Sequence, residues 1–522
     1  MGERFTRERN VGSKRHTRAG HGCTRRDDGV PVGDLEGVAM TGLSRWSFSG
    51  GKLRFTFHVN EKLCGAMAPT GKRTDQHGRP GEISLTRLAV SATVVGLVCQ
   101  LAAPGTATAE PLTSCSDQGW LGVWAAVPSD ASRGTDPFDQ YDASLNPKSV
   151  VRDETTRAIL TPTFGGTTAR VRLSNRFGTA PVKFAHATIA RRASGPALVP
   201  NTTAPLTFAG GRSVNVAPGQ DVLSDPVAFS VQAFEPLAVS IYVTGDVGKP
   251  TEHYIARQTS YLTRQGAGDH TADVHGAAFT QRTTSRPFVS GIEVLAPLSN
   301  GAVVTLGDSI TDGYQAQPPG TPESLEGIDA DGRWPDVLAR RLGTASRPLS
   351  VLNLGIAGNR VLQDGTAGDN PDVQGPAAIR RLDADLQSQA GVTTVILLEG
   401  INDLLMSPNA TVEELLGGYR ELIDRLHSRG LRVLQGTLTP LGGSADEPPD
   451  TEDERQRINA WIRGQSPADA VIDFDAAVRD PADPSRINPT YDGSDHLHFN
   501  LAGYRAMAAA VPLEQLNDPA CS

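Results

Sequence analysis

Gly307-Asp308-Ser309-Ile310-Thr311-Asp312-Gly313 stands directly after the apolar run Ala302-Val303-Val304-Thr305-Leu306, and that junction decides the fold. A short apolar run without alternation reads as a strand buried on both faces, as in a parallel sheet. A turn rich in Gly and Asp at its end lies at the carboxyl edge of the sheet, where open α/β folds gather their chemistry. Ser309 in such a turn is lifted off the backbone ladder and points into a cleft. A Gly-Asp-Ser turn alone is more often only a turn. Its weight comes from a distant segment, Asp495-His496-Leu497-His498 followed by Gly503-Tyr504.

Working outward, apolar strands at 303–306, 351–354, 395–398, 433–436 and 471–474 alternate with helical stretches. The helices are read at 334–342, 377–387, 412–428, 452–463 and 501–510. Strand and helix in turn predict an α/β domain, residues 297–522, doubly wound around a five-stranded parallel sheet. Before it the period changes to two. Thr168-Ala-Arg-Val-Arg-Leu-Ser174 alternates as a half-buried strand should, and similar runs lie at 182–189, 238–243 and 289–295. Gly and Pro turns separate them and no long helix is evident, so residues 110–296 are predicted to form an antiparallel β-sandwich-like accessory domain.

The chain has 522 residues, too many for one core, and a formal charge of −9. That charge is uneven: residues 1–109 carry about +7 and the remainder about −16. An acidic body argues against a nucleic-acid surface and against anionic membranes. Lys72, Arg73, Arg79 and Arg87 precede the apolar stretch 88–103, which Ala107-Thr108-Ala109 closes. This is the order of a secretory signal, so residues 67–109 are read as a signal region cut after Ala109 and the protein as secreted. The apolar stretch is short and rich in Ala, Ser and Thr, so no stable membrane insertion is expected after cleavage; a membrane anchor is the alternative. A signal does not belong behind so long an Arg-rich, unpatterned stretch. Translation is therefore expected to start at Met67 or Met40, leaving residues 1–66 as a disordered upstream extension without function. Of the five cysteines only Cys115 and Cys521 follow the cut, one at each end of the mature chain. They are read as a disulfide joining the termini, with two free thiols as the alternative.

Four segments fall beyond strand ends or in the last long loop: that of Ser309, then Asn353-Leu-Gly-Ile-Ala-Gly358-Asn359, then Glu399-Gly-Ile-Asn402-Asp403, then 495–498. In a parallel sheet these loops meet on one edge. Acyl transfer to a serine needs a base, a group to orient the base, and donors for the developing oxyanion. His498 can be the base and Asp495, three residues earlier, can hold its other ring nitrogen. The backbone N–H groups of Ser309 and Gly358 and the amide of Asn402 can form the oxyanion hole.

With these residues in place, the chain resembles the SGNH (GDSL-type) hydrolase family. Gly307-Asp308-Ser309-Ile310 is similar to the first family block, with Ile where Leu is common. Gly358 corresponds to the second, Gly400-Ile-Asn402-Asp403 to the third, and Asp495 through His498 with Gly503-Tyr504 to the last. The resemblance covers about residues 301–513. It implies a flavodoxin-like three-layer domain and two-step ester hydrolysis through an acyl-serine, with no cofactor and no metal. More narrowly, the chain is similar to secreted bacterial proteins with an amino-terminal β domain, including a xylanase-cluster-associated arylesterase-like subgroup. That subgroup implies short acyl, acetyl-type groups on carbohydrate as substrate. A lipase or phospholipase acting on lipid esters is the alternative within the enzyme class. A glycan- or cell-wall-binding protein with an inert hydrolase fold is the alternative from another class. No Gly-x-Ser-x-Gly elbow is present, which disfavours the other common serine-esterase architecture.

The neighbours receive plainer readings. Asp308 is expected to cap a turn, and Asp403 and Asn359 to brace the third and second blocks. His427 suits the end of a helix, where a cation favours the dipole. His496 is a loop neighbour; with His498 it makes a His-x-His pair, but no further ligand cluster accompanies it. Trp334, Trp120, Trp124, Tyr254 and Tyr261 are assigned to packing. His253-Tyr254 and Gln258 through Tyr261 are assigned no role. The segment 314–331 is either a rim of the pocket or a surface loop.

Overall fold

The computed structural model describes residues 118–130, 151–315, 327–365 and 374–516, apart from positions 249, 298, 408, 409 and 446, together with short strands at 48–49 and 52–53. The signal region and its cut, both candidate start sites, and Cys115 and Cys521 lie outside the described residues. The chain forms two compact units, Met1–Ala103 and Pro104–Ser522. In the first, Phe48–Ser49 pairs antiparallel with Lys52–Leu53. All remaining elements belong to the second unit.

The β-rich part contains β1 (Gln118–Ala125), β2 (Val151–Leu160), β3 (Ala169–Asn175), β4 (Val182–Ser194), β5 (Val214–Val216), β6 (Gln220–Leu223), β7 (Leu237–Gly248), β8 (Thr251–His253), β9 (Ser260–Leu262), β10 (Gln281–Thr283) and β11 (Val289–Pro297). One antiparallel sheet runs β5-β4-β7-β2-β9-β10 and a second runs β6-β3-β11-β1. Their apolar residues share one core, in which Phe184 of β4 meets Phe288 edge-on at 5.3 Å. A small third sheet places β8 between Arg286–Pro287 and Ser129–Asp130.

Strand β2, Val-Arg-Asp-Glu-Thr-Thr-Arg-Ala-Ile-Leu, was not foreseen because it carries buried charge in the middle of a sheet. Arg157 is accommodated there by hydrogen bonds to Ser240 Oγ (2.7 Å) and to the carbonyls of Pro196 (2.5 Å) and Asp273 (2.9 Å). Burial lowers its pKa to about 10 even so, against the opposing pull of Asp273.

The α/β part is built on β12 (Ala302–Gly307), β13 (Ser350–Gly355), β14 (Val392–Leu398), β15 (Arg432–Gly436) and β16 (Ala470–Ile472). All pair in parallel, in the order β13-β12-β14-β15-β16. This is the flavodoxin-like order, whose switch point lies between β12 and β14. Every residue of β12 and β13 is buried, the polar Thr305, Ser350 and Asn353 included.

The helices are α1 (Ser309–Asp312), α2 (Trp334–Gly343), α3 (Ala378–Gln387), α4 (Ile401–Met406), α5 (Val412–His427), α6 (Thr451–Gln465), α7 (Phe474–Val478) and α8 (Leu501–Ala510). Helix α5 shows why they form where they do. Thr411 and Glu414 close a capping box at its start, and Leu415, Tyr419, Leu422, Ile423 and Leu426 make the buried stripe. No helix among the described residues is long and apolar enough to cross a membrane.

The fifth strand stops at Ile472 rather than at 474. The apolar run continues through Phe474, but Asp473 accepts a hydrogen bond from Ala476 N and turns the backbone into α7. Trp334 is wholly buried against Phe474, with ring centroids 5.4 Å apart, in line with a packing role. Tyr254 and Tyr261 are also buried, and Arg286 lies over the buried Trp124 ring.

The edge strand β13 is covered by the β-rich part. Gly122 N donates to Ala390 O at 2.8 Å, and a Cβ at Gly122 would come within 2.9 Å of Leu352 Cδ1. Thr163 Oγ1 lies 2.9 Å from Ser350 Oγ and accepts from Val351 N at 3.0 Å. An exposed sheet edge invites pairing with other chains, and this contact removes that liability.

Candidate active site

Strand β12 ends at Gly307, and Asp308 bonds Ile310 N at 2.9 Å to start α1. The expected capping role of Asp308 is borne out. Helix α1 is a single turn closed by Gly313 in the left-handed region, so Ser309 sits on its first turn at the sheet edge. Ser309 Oγ lies 2.8 Å from His498 Nε2, across 189 residues of sequence. His498 Nδ1 lies 2.6 Å from Asp495 Oδ2. The same carboxylate takes hydrogen bonds on Oδ1 from the backbone N–H of His498 (2.8 Å) and Leu497 (3.1 Å). Asp495 therefore folds its own loop and orients the ring in one stroke. Burial pushes the Asp495 carboxyl up, but the His498 charge and these hydrogen bonds outweigh it and bring it to about 2.

The ring of His498 is held from a second side. Tyr314 packs edge-on to it with centroids 4.6 Å apart, and the Tyr504 hydroxyl donates to the Tyr314 carbonyl. The Gly503-Tyr504 motif thus acts on the site through Tyr314. Of segment 314–331, read as a rim or a surface loop, residues 316–326 lie outside the described residues; Tyr314 touches His498, and Asp329 accepts from Thr259 N (2.7 Å) and Thr259 Oγ1 (2.8 Å).

The loops after β12, β13 and β14 are tied to one another. Ile356 N donates to Gly307 O at 3.0 Å and Ala357 N to Asp312 Oδ2 at 3.1 Å. Asn402 Nδ2 donates to Asn359 O at 2.9 Å, which leaves its second amide hydrogen for a ligand. Gly358 has φ +76°, and a Cβ there would strike the Gln374 side chain at 2.6 Å. The N–H groups of Ser309 and Gly358 have no acceptor among the described residues.

Asp403 accepts from Val361 N (2.7 Å) and Leu362 N (3.1 Å), so it braces the continuation of the second loop rather than its own. Burial raises its carboxyl to about 6 despite those bonds. Asn359 donates to the carbonyls of Gln374 (2.6 Å) and Pro376 (2.9 Å), a brace as expected. His496 pairs with Asp492 at 2.5 Å and is half exposed. His427 is partnered by Asp469 at 3.1 Å. Among the described residues no group of three or more His, Cys, Asp or Glu side chains is arranged to hold a metal ion.

The family model described as GDSL-like Lipase/Acylhydrolase matches residues 305–506. Those residues are a GDSL-like lipase/acylhydrolase domain. The GDSL-like domain makes the chain a carboxylic ester hydrolase by class. Solved structures similar to it include the native aryl esterase of M. smegmatis, at 20% identity, covering 41% of this chain and 99% of that one with a TM-score of 0.33. A carbohydrate acetylesterase family member from Sinorhizobium meliloti matches at 20% identity, covering 40% and 94% with a TM-score of 0.32. The lipase/acylhydrolase of Enterococcus faecalis matches at 19% identity, covering 40% and 92% with a TM-score of 0.30. No curated protein matches the chain in sequence.

Two residues of the GDSL-like domain and one before it were missed by sequence reading. Arg381 bonds Asn359 Oδ1 (2.8 Å), Leu354 O (2.9 Å) and Gly307 O (3.2 Å), pinning the first two loops together. A signal for it existed: Arg381 and Asp385 share the helix face of Leu382 and Leu386, where an unpaired charge would not survive. His253, given no role from sequence, is buried and lies 2.9 Å from Asp312 Oδ1. No local pattern announces a contact of that range. The correction follows from the packing of β8 behind α1.

Proposed function

We propose that the protein is a secreted serine esterase that removes short acyl groups, of acetyl type, from carbohydrate or a similar polar ester. The observation that carries this reading is the unbroken chain of hydrogen bonds from Ser309 Oγ through His498 to Asp495. His498 Nε2 takes the Ser309 proton as Oγ attacks the ester carbonyl, and Asp495 stabilises the resulting imidazolium. The oxyanion is held by the N–H groups of Ser309 and Gly358 and the free amide hydrogen of Asn402. Each such donor is worth about 3 to 4 kcal/mol in the transition state. His498 then returns its proton to the leaving alcohol. Water, deprotonated by the same imidazole, attacks the acyl-serine and releases the acid with Ser309 restored.

The polar substrate is supported by charge: the chain after residue 109 carries about −16, which opposes docking on an anionic lipid surface. Export is supported by the basic, apolar, small-residue order of residues 72–109.

Two measurements test the proposal. Ser309→Ala in the full chain is expected to lower kcat by roughly 10^4-fold or more with the fold intact. On p-nitrophenyl esters from acetate to palmitate, kcat/KM is expected to peak at acetate or butyrate. A maximum at long chains makes the protein a lipase instead.

A further inference from the structure

The proposed oxyanion donor Gly358 lies between Ala357 and Asn359, and each of these neighbours is held, through a carboxylate, by a side chain of the β-rich part. On one side, Ala357 N donates to Asp312 Oδ2 at 3.1 Å, and Asp312 Oδ1 lies 2.9 Å from His253 Nε2. The other ring nitrogen of His253 lies 2.9 Å from the Val127 carbonyl, so both ring nitrogens face oxygen acceptors and the ring orientation is fixed. His253 belongs to β8, which is paired on both sides, and both His253 and Asp312 are buried. On the other side, Asn359 Oδ1 accepts from Arg381 Nε at 2.8 Å, and Arg381 Nη1 meets Asp385 Oδ2 at 2.9 Å. Asp385 Oδ1 in turn accepts from Arg176 Nη1 at 2.9 Å, and Arg176 follows β3.

Within the α/β part the turn is bonded mainly through Asn359, by Asn359 N to Ile356 O (3.1 Å), Asn402 Nδ2 to Asn359 O (2.9 Å) and Asn359 Nδ2 to the carbonyls of Gln374 and Pro376. Gly358 has no side chain to pack, and the lack of a Cβ that lets it adopt φ +76° also leaves its backbone the most freedom. An oxyanion donor works only when it is fixed before the reaction, because a donor that must reorganise loses most of its advantage. Two charge-assisted tethers, the buried His253–Asp312 pair and the partly buried Arg176–Asp385 pair, add to that rigidity from the β-rich part.

We propose that the β-rich part is a positioning element for the Gly358 turn, acting through His253 on one flank and Arg176 on the other. This deepens the esterase reading above and rests on it. Neither residue touches substrate; both act by keeping the Gly358 N–H aimed at the oxyanion.

The test uses the full chain with His253→Ala, His253→Gln and Arg176→Ala, assayed on p-nitrophenyl acetate and with an aryl boronic acid as tetrahedral mimic. His253→Ala is expected to lower kcat by roughly tenfold or more with KM within about twofold, since misplacement alone reaches about a hundredfold. The boronic acid Ki is expected to weaken by a similar factor, and His253→Gln, which keeps a donor for Asp312, to recover part of the loss. Thermal unfolding run in parallel separates this from stability. A folded His253→Ala protein with kcat within twofold of the parent overturns the proposal, as does a rise in KM at unchanged kcat. Should His253→Ala not fold, Arg176→Ala decides: a fall in kcat at constant KM supports the proposal and an unchanged kcat overturns it. Ser309→Ala keeps the two readings apart. If it retains activity, the esterase assignment fails; if it is inactive while the tether variants behave as the parent, only the positioning role fails.

Discussion

Asp308 shows how much one buried side chain does beside this site. It caps α1, and burial pushes its carboxyl up to about 7, against the Ile310 N–H bond and the His498 charge that lower it. A folded-state pKa above the unfolded one means stability that is full below about pH 4 and is lost as pH rises through about 7. Asp403, raised to about 6 by burial, has the same sign over a slightly lower window. Asp495, held at about 2, has the opposite sign and acts only in acid. Asp308→Asn keeps the acceptor for Ile310 N and removes the ionisation. Its melting temperature, measured from pH 5 to pH 8, is therefore expected to fall less than that of the parent. At this scale the sequence was readable where function is local. Asp495 and His498 lie three residues apart and belong to one loop, so their partnership could be seen in one dimension. The His253–Asp312 contact spans 59 residues and joins two parts of the chain with different periodicities, so nothing in the text couples them.

Among the elements, α8 has the clearest consequence for the site. Its cap Asn500 accepts from Ala502 N (2.9 Å) and Gly503 N (3.0 Å) and donates to Thr490 O (3.0 Å) and Asp492 O (3.2 Å). The loop that carries Asp495 and His498 is closed by these bonds. Asn500→Ala is expected to cost about 1–2 kcal/mol in urea unfolding and to lower kcat on p-nitrophenyl acetate as well. Asn500→Asp keeps the cap and loses the donors, so it is expected to recover stability more than activity. Long elements were legible because periodicity accumulates: α5 and α8 begin and end within a residue of expectation. Helices α1, α4 and α7 have four, six and five residues, too few for an apolar stripe to declare itself. Strand β1 was missed, and β2 hid behind Glu154 and Arg157, whose burial in a sheet interior runs against any hydropathy rule.

For the molecule as a whole, the close approach of β1 to the edge of the parallel sheet matters most. Gly122 is the point of contact, and Gly122→Val is expected to destabilise the protein by about 1–3 kcal/mol through overpacking against Leu352 and Ala390. Denaturant unfolding of the full chain measures this, and a neutral result would mean that the contact is dispensable. The division into a β-rich and an α/β part was visible in the change of period near residue 297. That both parts belong to one compact unit was not, because the contacts that join them are made by single residues such as Gly122, Thr163 and His253.

Among the described residues strand β1 has its only ladder partner in β11, with Gln118 opposite Pro297 and Ala125 opposite Gly291. The first strand of the unit must therefore wait for the last strand of the β-rich part before it can bond. Such long-range closure is slow, because the intervening loop entropy is lost before any ladder bond forms. While the ribosome is still short of that partner, the nascent chain holds an unmated apolar strand, a natural handle for chaperones and a hazard for self-association.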